Sequence, residues 1–174
     1  MKIVKVLGGI ITVLVCSFMG LMVSYRYAVR PMQIKCLRSA LQMLETEIYY
    51  SLTPLPEALY GVGKRFENEI GRFFLYTSRL MTGKEMLTAQ EAWEKSLNWL
   101  WENSFLTKSD IDILKNFGFN LGCSDREEQI KHFKLVQQQL LHQEGNAEKE
   151  REKNERMWRH MGFWSGLLIV IILS

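Results

Sequence analysis

Few side chains in this sequence have the type and spacing to do chemistry. Glu45 and Glu47 come closest to a carboxylate pair, in which one group gives a proton while the other takes one. Residues two apart on a helix, however, point about 200° away from each other. The two groups therefore flank an apolar stripe from opposite sides and cannot converge on one bond. Two readings remain for them: ion pairs at the rim of a core, or a polar site for a partner. His132, His142 and His160 are scattered, with no Cys or Asp at ligand spacing, and read as surface residues. Ser165 stands between Trp164 and Gly166 in apolar sequence, not in the strained turn of a hydrolase nucleophile. No Gly-rich loop leads into Lys and Ser or Thr, so the chain has no phosphate-cradling loop of its own. Cys16, Cys36 and Cys123 are odd in number, widely spaced and without a CxxC pair, which fits a reducing compartment. The expectation is a protein that is not an enzyme and holds neither cofactor nor metal.

The two glutamates belong to the strongest seam in the chain. Ile34, Leu37, Leu41, Leu44 and Ile48 alternate spacings of three and four, which predicts a core helix. Pro54 and Pro56 end the pattern by removing donors and disfavouring helical angles before them. Thr53 is placed to cap a second helix with Pro54 at its first position, giving an antiparallel hairpin. That helix carries Leu55, Ala58, Leu59, Val62 and Phe66, with Gly61 and Gly63 weakening its last turn. Ile70, Phe73, Phe74, Thr77, Leu80 and Met81 form the next stripe, closed by Gly83 as a left-handed cap. Thr88 with Glu91, Thr107 with Asp110, and Ser124 with Glu127 are capping boxes opening three more helices. Trp93, Leu97 and Leu100 face inward on the first; Ile111, Leu114, Phe117 and Leu121 on the second, stopped by Gly122. On the third the inward residues are Ile130, Phe133, Val136, Leu140 and Leu141. Residues 144–156 are a charged run with Glu152 and Arg156 at i,i+4, readable as a solvated helix or as a flexible linker; Gly145 and Asn146 permit a bend.

The 174 residues are 47% hydrophobic, and the mean hydropathy of −0.09 averages apolar ends with a charged middle. A net charge of +3 without a basic, aromatic-studded face argues against nucleic acid. Residues 3–25 carry Lys5 as their one charge and suffice for the ~20 residues a membrane span needs. Residues 161–174 are shorter; with 157–160 they reach ~27 Å at 1.5 Å per residue, a marginal span with Trp158 and Trp164 at the interface. Arg26, Arg30, Lys35 and Arg38 follow the first apolar run, and basic residues precede the last, so the middle is expected in the cytoplasm. Gly8, Thr12, Cys16, Gly20 and Ser24 recur every fourth residue, a ridge of small side chains for another membrane helix; Gly162 and Gly166 offer a matching contact. The organisation expected is therefore all-α: a membrane helix with its flanks over 1–28, a compact cytoplasmic bundle of about six helices over 29–143, a charged stalk over 144–156 and a short C-terminal membrane segment over 157–174.

LETEI at 44–48, TPLPEAL at 53–59, the Trp93 helix, LGCSDREEQ at 121–129 and MGFWSGLLIVIIL at 161–173 occur in an order that resembles the stage III sporulation protein AB family of endospore-forming bacteria, over essentially the whole chain. That family is in turn similar to one cytoplasmic domain of the inner-membrane platform protein F of type II secretion and type IV pilus systems. The resemblance implies a scaffold in the mother-cell membrane around the forespore, part of a channel-like apparatus linking the two cells. It also implies a cytoplasmic secretion-type ATPase, stage III sporulation protein AA, as partner, with nucleotide belonging to that partner, and contacts with other membrane components of the channel. Secretion platforms carry two such domains, whereas this chain has room for one, so a homodimer through the small-residue ridge is expected to supply the second. The polar residues beside the Pro-Leu-Pro turn and after Gly122, namely Glu45, Glu47, Glu57, Asp125, Arg126 and Gln129, are the candidate partner interface. A membrane-tethered signalling or sensor module, transmitting through the charged stalk, is the alternative.

Overall fold

Each apolar stripe read above becomes one wall of a helical core. In the computed structural model the backbone is described for residues 2–84, 86–122 and 126–173, and side chains in the outer parts of the first and last helices only at 15, 18, 19, 22, 24–31, 145–154 and 157. Among the described residues the fold is all-α, with α1 Lys2–Tyr49, α2 Leu55–Gly63, α3 Glu69–Thr82, α4 Ala89–Asn103, α5 Lys108–Phe119 and α6 Arg126–Leu173. The chain divides into two units, Met32–Glu144 and Met1–Pro31 with Gly145–Ser174.

In the unit of Met32–Glu144, Ile34, Leu37, Leu41 and Leu44 are fully buried, and α2 packs on α3, α3 on α4 and α4 on α5. A chain of edge-to-face aromatic rings ties the layers together. Phe73 of α3 meets Trp93 of α4 at 4.8 Å, Trp93 meets Phe117 of α5 at 5.5 Å, Phe117 meets Phe133 of α6 at 4.8 Å, and Phe133 meets Tyr49 of α1 at 5.8 Å. Polar contacts fix the register of α1 against its neighbours. The Phe105 amide donates to Gln33 Oε1 at 2.9 Å, Gln137 Nε2 donates to the Arg38 carbonyl at 2.9 Å, and Arg38 pairs with Glu144. The pairings of Arg38 with Gln137 and of Tyr49 with Gln129 run in opposite chain directions, so these parts of α1 and α6 are antiparallel.

Local chemistry explains the helix ends. Thr88 and Glu91 form the expected capping box, as do Thr107 and Asp110, and the buried Leu106 stands before the second. The Ser124 cap lies outside the described residues. Thr53 does not cap α2, and Pro54 is not its first residue: Pro54 itself holds the cap position and the helix begins at Leu55. Pro56 has no N–H to offer in the first turn, and the Thr53 hydroxyl instead donates to Glu47 Oε2 at 3.2 Å. Gly83 is extended (φ −81°, ψ −171°), not left-handed, while Gly122 (φ +82°) takes the left-handed turn after α5. Leu141 is 52% exposed, because Leu140, 100° away, already completes the inward line of Phe133 and Val136. An unexpected cap opens α3: the Asn68 side chain accepts from the amides of Ile70 and Gly71 at 3.1 and 3.2 Å, and its Nδ2 reaches Cys36 Sγ at 3.3 Å. Asn68→Ala is expected to cost ~1 kcal/mol by thermal or denaturant unfolding.

In the unit of Met1–Pro31 with Gly145–Ser174, Arg30 Nη1 pairs with Glu150 at 2.8 Å, and Ser24, Pro31 and Ala147 are buried. α1 runs through Pro31, and α6 runs through Gly145 and Asn146 with no break. The charged stretch over 144–156 is thus helical, as its Glu-, Lys- and Arg-rich composition favours. Among the described residues no helix is long and apolar enough to cross a membrane. Most of 3–25 and all of 161–174 lie outside the residues whose side chains are described.

Candidate functional site

Two of the sequence motifs meet in space. A methyl group on Gly122 would touch Ala89 Cβ at 3.4 Å and Leu55 Cδ2 at 3.9 Å, so the turn after α5 sits against the first residues of α2 and α4. The TPLPEAL and LGCSDREEQ stretches therefore share one end of the bundle with the connection from α3 to α4. Tyr49 strengthens this junction by donating its hydroxyl to Gln129 Oε1 at 2.8 Å. Beside it Glu47 pairs with Arg65 at 3.3 Å and accepts from Thr53, which ties the end of α1 to the segment after α2. This is the rim ion pair that its position on the stripe suggests.

The remaining candidate residues take different environments. Glu57 is exposed in the first turn of α2, where its charge also complements the helix dipole. Glu45 is half-buried on the other side of α1 from Glu47. Desolvation raises its pKa above the usual carboxylate range, partly offset by the positive charge of Lys134. A folded state that binds this proton more tightly than the unfolded chain gains stability as pH falls through the carboxylate range. Glu45→Gln is accordingly expected to raise the melting temperature at pH 7, with the gain vanishing below about pH 4, where the unfolded carboxylate is also protonated. Asp125 and the Arg126 side chain lie outside the described residues. The surroundings of Gly8, Thr12, Cys16, Gly20, Gly162 and Gly166 lie outside the description as well, while Ser24 of the same ridge is buried.

Two residues at this end were not foreseen. Leu52 (φ +54°) is 73% exposed and Met86 (φ +43°) is 79% exposed, one in each of two connections. Left-handed angles in large side chains with a Cβ cost of order 1–3 kcal/mol, and both residues hold an apolar side chain out in water. A Leu in a Ser-Leu-Thr-Pro turn carries no signature of positive φ, so only the structure could single it out. Among the described residues no group of three or more His, Cys, Asp or Glu side chains could hold a metal. This end presents apolar tips, an exposed carboxylate and a hydrogen-bonded rim, features that suit the binding of a partner.

Comparison with known proteins identifies the lineage. A family model described as stage III sporulation protein AB matches residues 5–174. The chain belongs to the stage III sporulation protein AB family. It is 38% identical over 170 residues to the stage III sporulation protein AB of Bacillus subtilis (strain 168), covering 97% of this chain and 98% of that protein. A solved structure of a stage III sporulation protein AB, 39% identical, superposes with a TM-score of 0.68 over 72% of this chain and 98% of its own. Family membership thus spans the bundle and the apolar segments, and the all-α fold agrees with the solved relative.

Proposed function

We propose that this protein is a non-enzymatic platform of the sporulation apparatus, fixed in the mother-cell membrane by its two apolar segments, which docks a cytoplasmic secretion-type ATPase on the loop end of its bundle. The observation that carries this reading is the pair Leu52 and Met86: exposed apolar side chains on left-handed backbone, beside the junction of the two family motifs. Strain of this kind persists only where the surrounding structure imposes it, and it concentrates at ligand clamps and switch regions. The membership of nearly the whole chain in the sporulation family supports the setting. The partner assigned is stage III sporulation protein AA, with the bundle contributing shape and polar contacts and the partner contributing nucleotide chemistry.

Leu52→Gly separates docking from stability. Glycine adopts the positive φ without steric cost, so the variant is expected to be as stable as the parent or more stable by up to ~1 kcal/mol, although a large side chain is lost. Co-purification of the full-length chain in detergent with the ATPase is expected to fall about tenfold or more with Leu52→Gly combined with Met86→Ser, and with Glu57→Lys. Retention equal to the parent in both variants would remove the loop end as the docking surface. Modification of Cys123 by a membrane-impermeant thiol reagent is expected only after the cytoplasmic face is opened, which checks the orientation. A second copy packed along the small-residue ridge is part of the proposal, and sedimentation as a monomer at every concentration in detergent would exclude it.

A further inference from the structure

A second surface lies along α2 and α3. A groove of ≈350 Å³ runs between α2 and α3, lined by Tyr60, Lys64, Leu75, Ser78, Arg79 and Thr82. Its charge is of one sign. Lys64 and Arg79 have no carboxylate partner among the described residues, a state they share with exposed cations such as Lys35, Arg72 and Lys108, but here two of them line one groove. The Lys64 ammonium lies 4.8 Å from the centre of the Tyr60 ring, which holds it at the groove's edge. The hydroxyl protons of Ser78 and Thr82 are already committed inward. Ser78 Oγ donates to the Pro56 carbonyl at 2.7 Å and Thr82 Oγ1 to the Ser78 carbonyl at 3.0 Å. Toward solvent the groove therefore offers two cations, the apolar Leu75, the exposed Tyr60 side chain and the lone pairs of the exposed Thr82 hydroxyl, which can accept a hydrogen bond. Gly61, on the same outer face of α2, has nothing within 4 Å of where its Cβ would stand, so no packing inside the bundle requires a glycine there. A bare backbone at that point lets another backbone approach closely.

We infer that this groove binds an acidic peptide segment of a protein partner, its carboxylates on Lys64 and Arg79 and a backbone N–H on Thr82. A free phosphate would satisfy the two cations but makes no use of Leu75 or of the open backbone at Gly61, which a peptide segment can cover. The inference does not depend on ATPase docking at the loop end: although Thr82 ends α3 next to the connection that carries Met86, none of the lining residues is among Leu52, Met86 and Glu57, which carry the docking reading.

The test uses the full-length chain in neutral maltoside micelles and fluorescein-labelled hexaglutamate, read by anisotropy. Saturable binding is expected, weakened tenfold or more by Lys64→Glu with Arg79→Glu, and about threefold by Thr82→Val. Lys131→Glu, an exposed charge change on α6, should leave it unchanged. Lys64→Gln with Arg79→Gln, which keeps the side-chain length, is the second variant should charge reversal disturb folding, with at least fivefold weakening expected. Sodium phosphate at matched ionic strength should not displace the peptide. The inference is overturned by absence of saturable binding, by equal binding to the parent and both double variants, by displacement with phosphate, or by displacement with phosphatidylglycerol at matched charge, the last two pointing to an anion or lipid site instead.

Discussion

Gly71→Ala is expected to destabilise the bundle by ~3 kcal/mol or more, an unusually large effect for one methyl group. The ideal Cβ would stand 1.9 Å from the Phe66 carbonyl oxygen and 2.8 Å from both the Phe66 carbonyl carbon and the Gly63 carbonyl oxygen. All three are backbone atoms, so no side chain can rotate aside, and α3 must move away from the end of α2 and the turn that follows. Gly63 is the reciprocal half of this contact, its own Cβ position lying 2.9 Å from the Gly71 oxygen. Overpacking usually costs ~1–3 kcal/mol, and the absence of any yielding atom sets this site at or above that range. The control is Gly61→Ala in the same α2. Helix propensity alone makes both substitutions favourable, but only Gly61 has open space, so Gly61→Ala is expected to gain ~0.4–1 kcal/mol. Thermal unfolding followed by circular dichroism should shift down by roughly 10 °C for Gly71→Ala and slightly up for Gly61→Ala. A Gly71→Ala variant as stable as the parent would mean that α2 and α3 do not approach at backbone distance.

That contrast marks the boundary of what the sequence discloses. Gly61 and Gly63 are two residues apart and read alike, as weak points in a helix. One faces water and the other the backbone of α3, a distinction made by the crossing of two helices and not by either helix alone. Features carried within a few residues were legible. Of the five seam residues Ile34, Leu37, Leu41 and Leu44 are fully buried and Ile48 is half-buried, and the Thr88–Glu91 and Thr107–Asp110 boxes stand as spacing predicts. Asn68 escaped notice because no Glu or Gln three residues on completes a box, and its two accepted bonds alone define the cap. Thr53 misled because its capping role presumes N–H donors that the second proline removes, and Glu47 offered the hydroxyl a better acceptor.

The candidate site divides along the same line. Glu47 was legible as a rim charge because the apolar stripe fixes its direction, though its partner Arg65, eighteen residues on, was not. Gln129 was singled out from the motif as an exposed contact, and the structure gives it the Tyr49 hydroxyl across a separation of 80 residues. Such pairings depend on loop closures that no local pattern encodes. Leu52 and Met86 were invisible for another reason. Their significance lies in φ, and apart from glycine and asparagine a residue's type says little about whether its backbone is held left-handed.

Trp93→Ala is expected to cost ~4 kcal/mol, between about a quarter and most of a total stability of order 5–15 kcal/mol. The ring is 1% exposed and forms the middle of the aromatic chain, edge to face with Phe73, Phe74 and Phe117, and its Nε1–H donates to the Leu114 carbonyl at 2.8 Å. Trp93→Phe retains most of the apolar contact and loses the hydrogen bond and part of the volume, so about half the cost is expected. Gly118 supplies the diagnostic partner. Its Cβ would lie 2.3 Å from Trp93 Cδ1, so Gly118→Ala in the parent drives the methyl into the indole and should cost ~2 kcal/mol by overpacking. In the Trp93→Ala background the same methyl enters the vacated cavity, and the substitution should be neutral or stabilising, since helix propensity then favours Ala. The double-mutant cycle is therefore expected to show ~2 kcal/mol of coupling, with the two losses failing to add. Additive losses would mean that the indole does not rest on the Gly118 backbone, and with that the close packing of α4 against α5 would have to be redrawn.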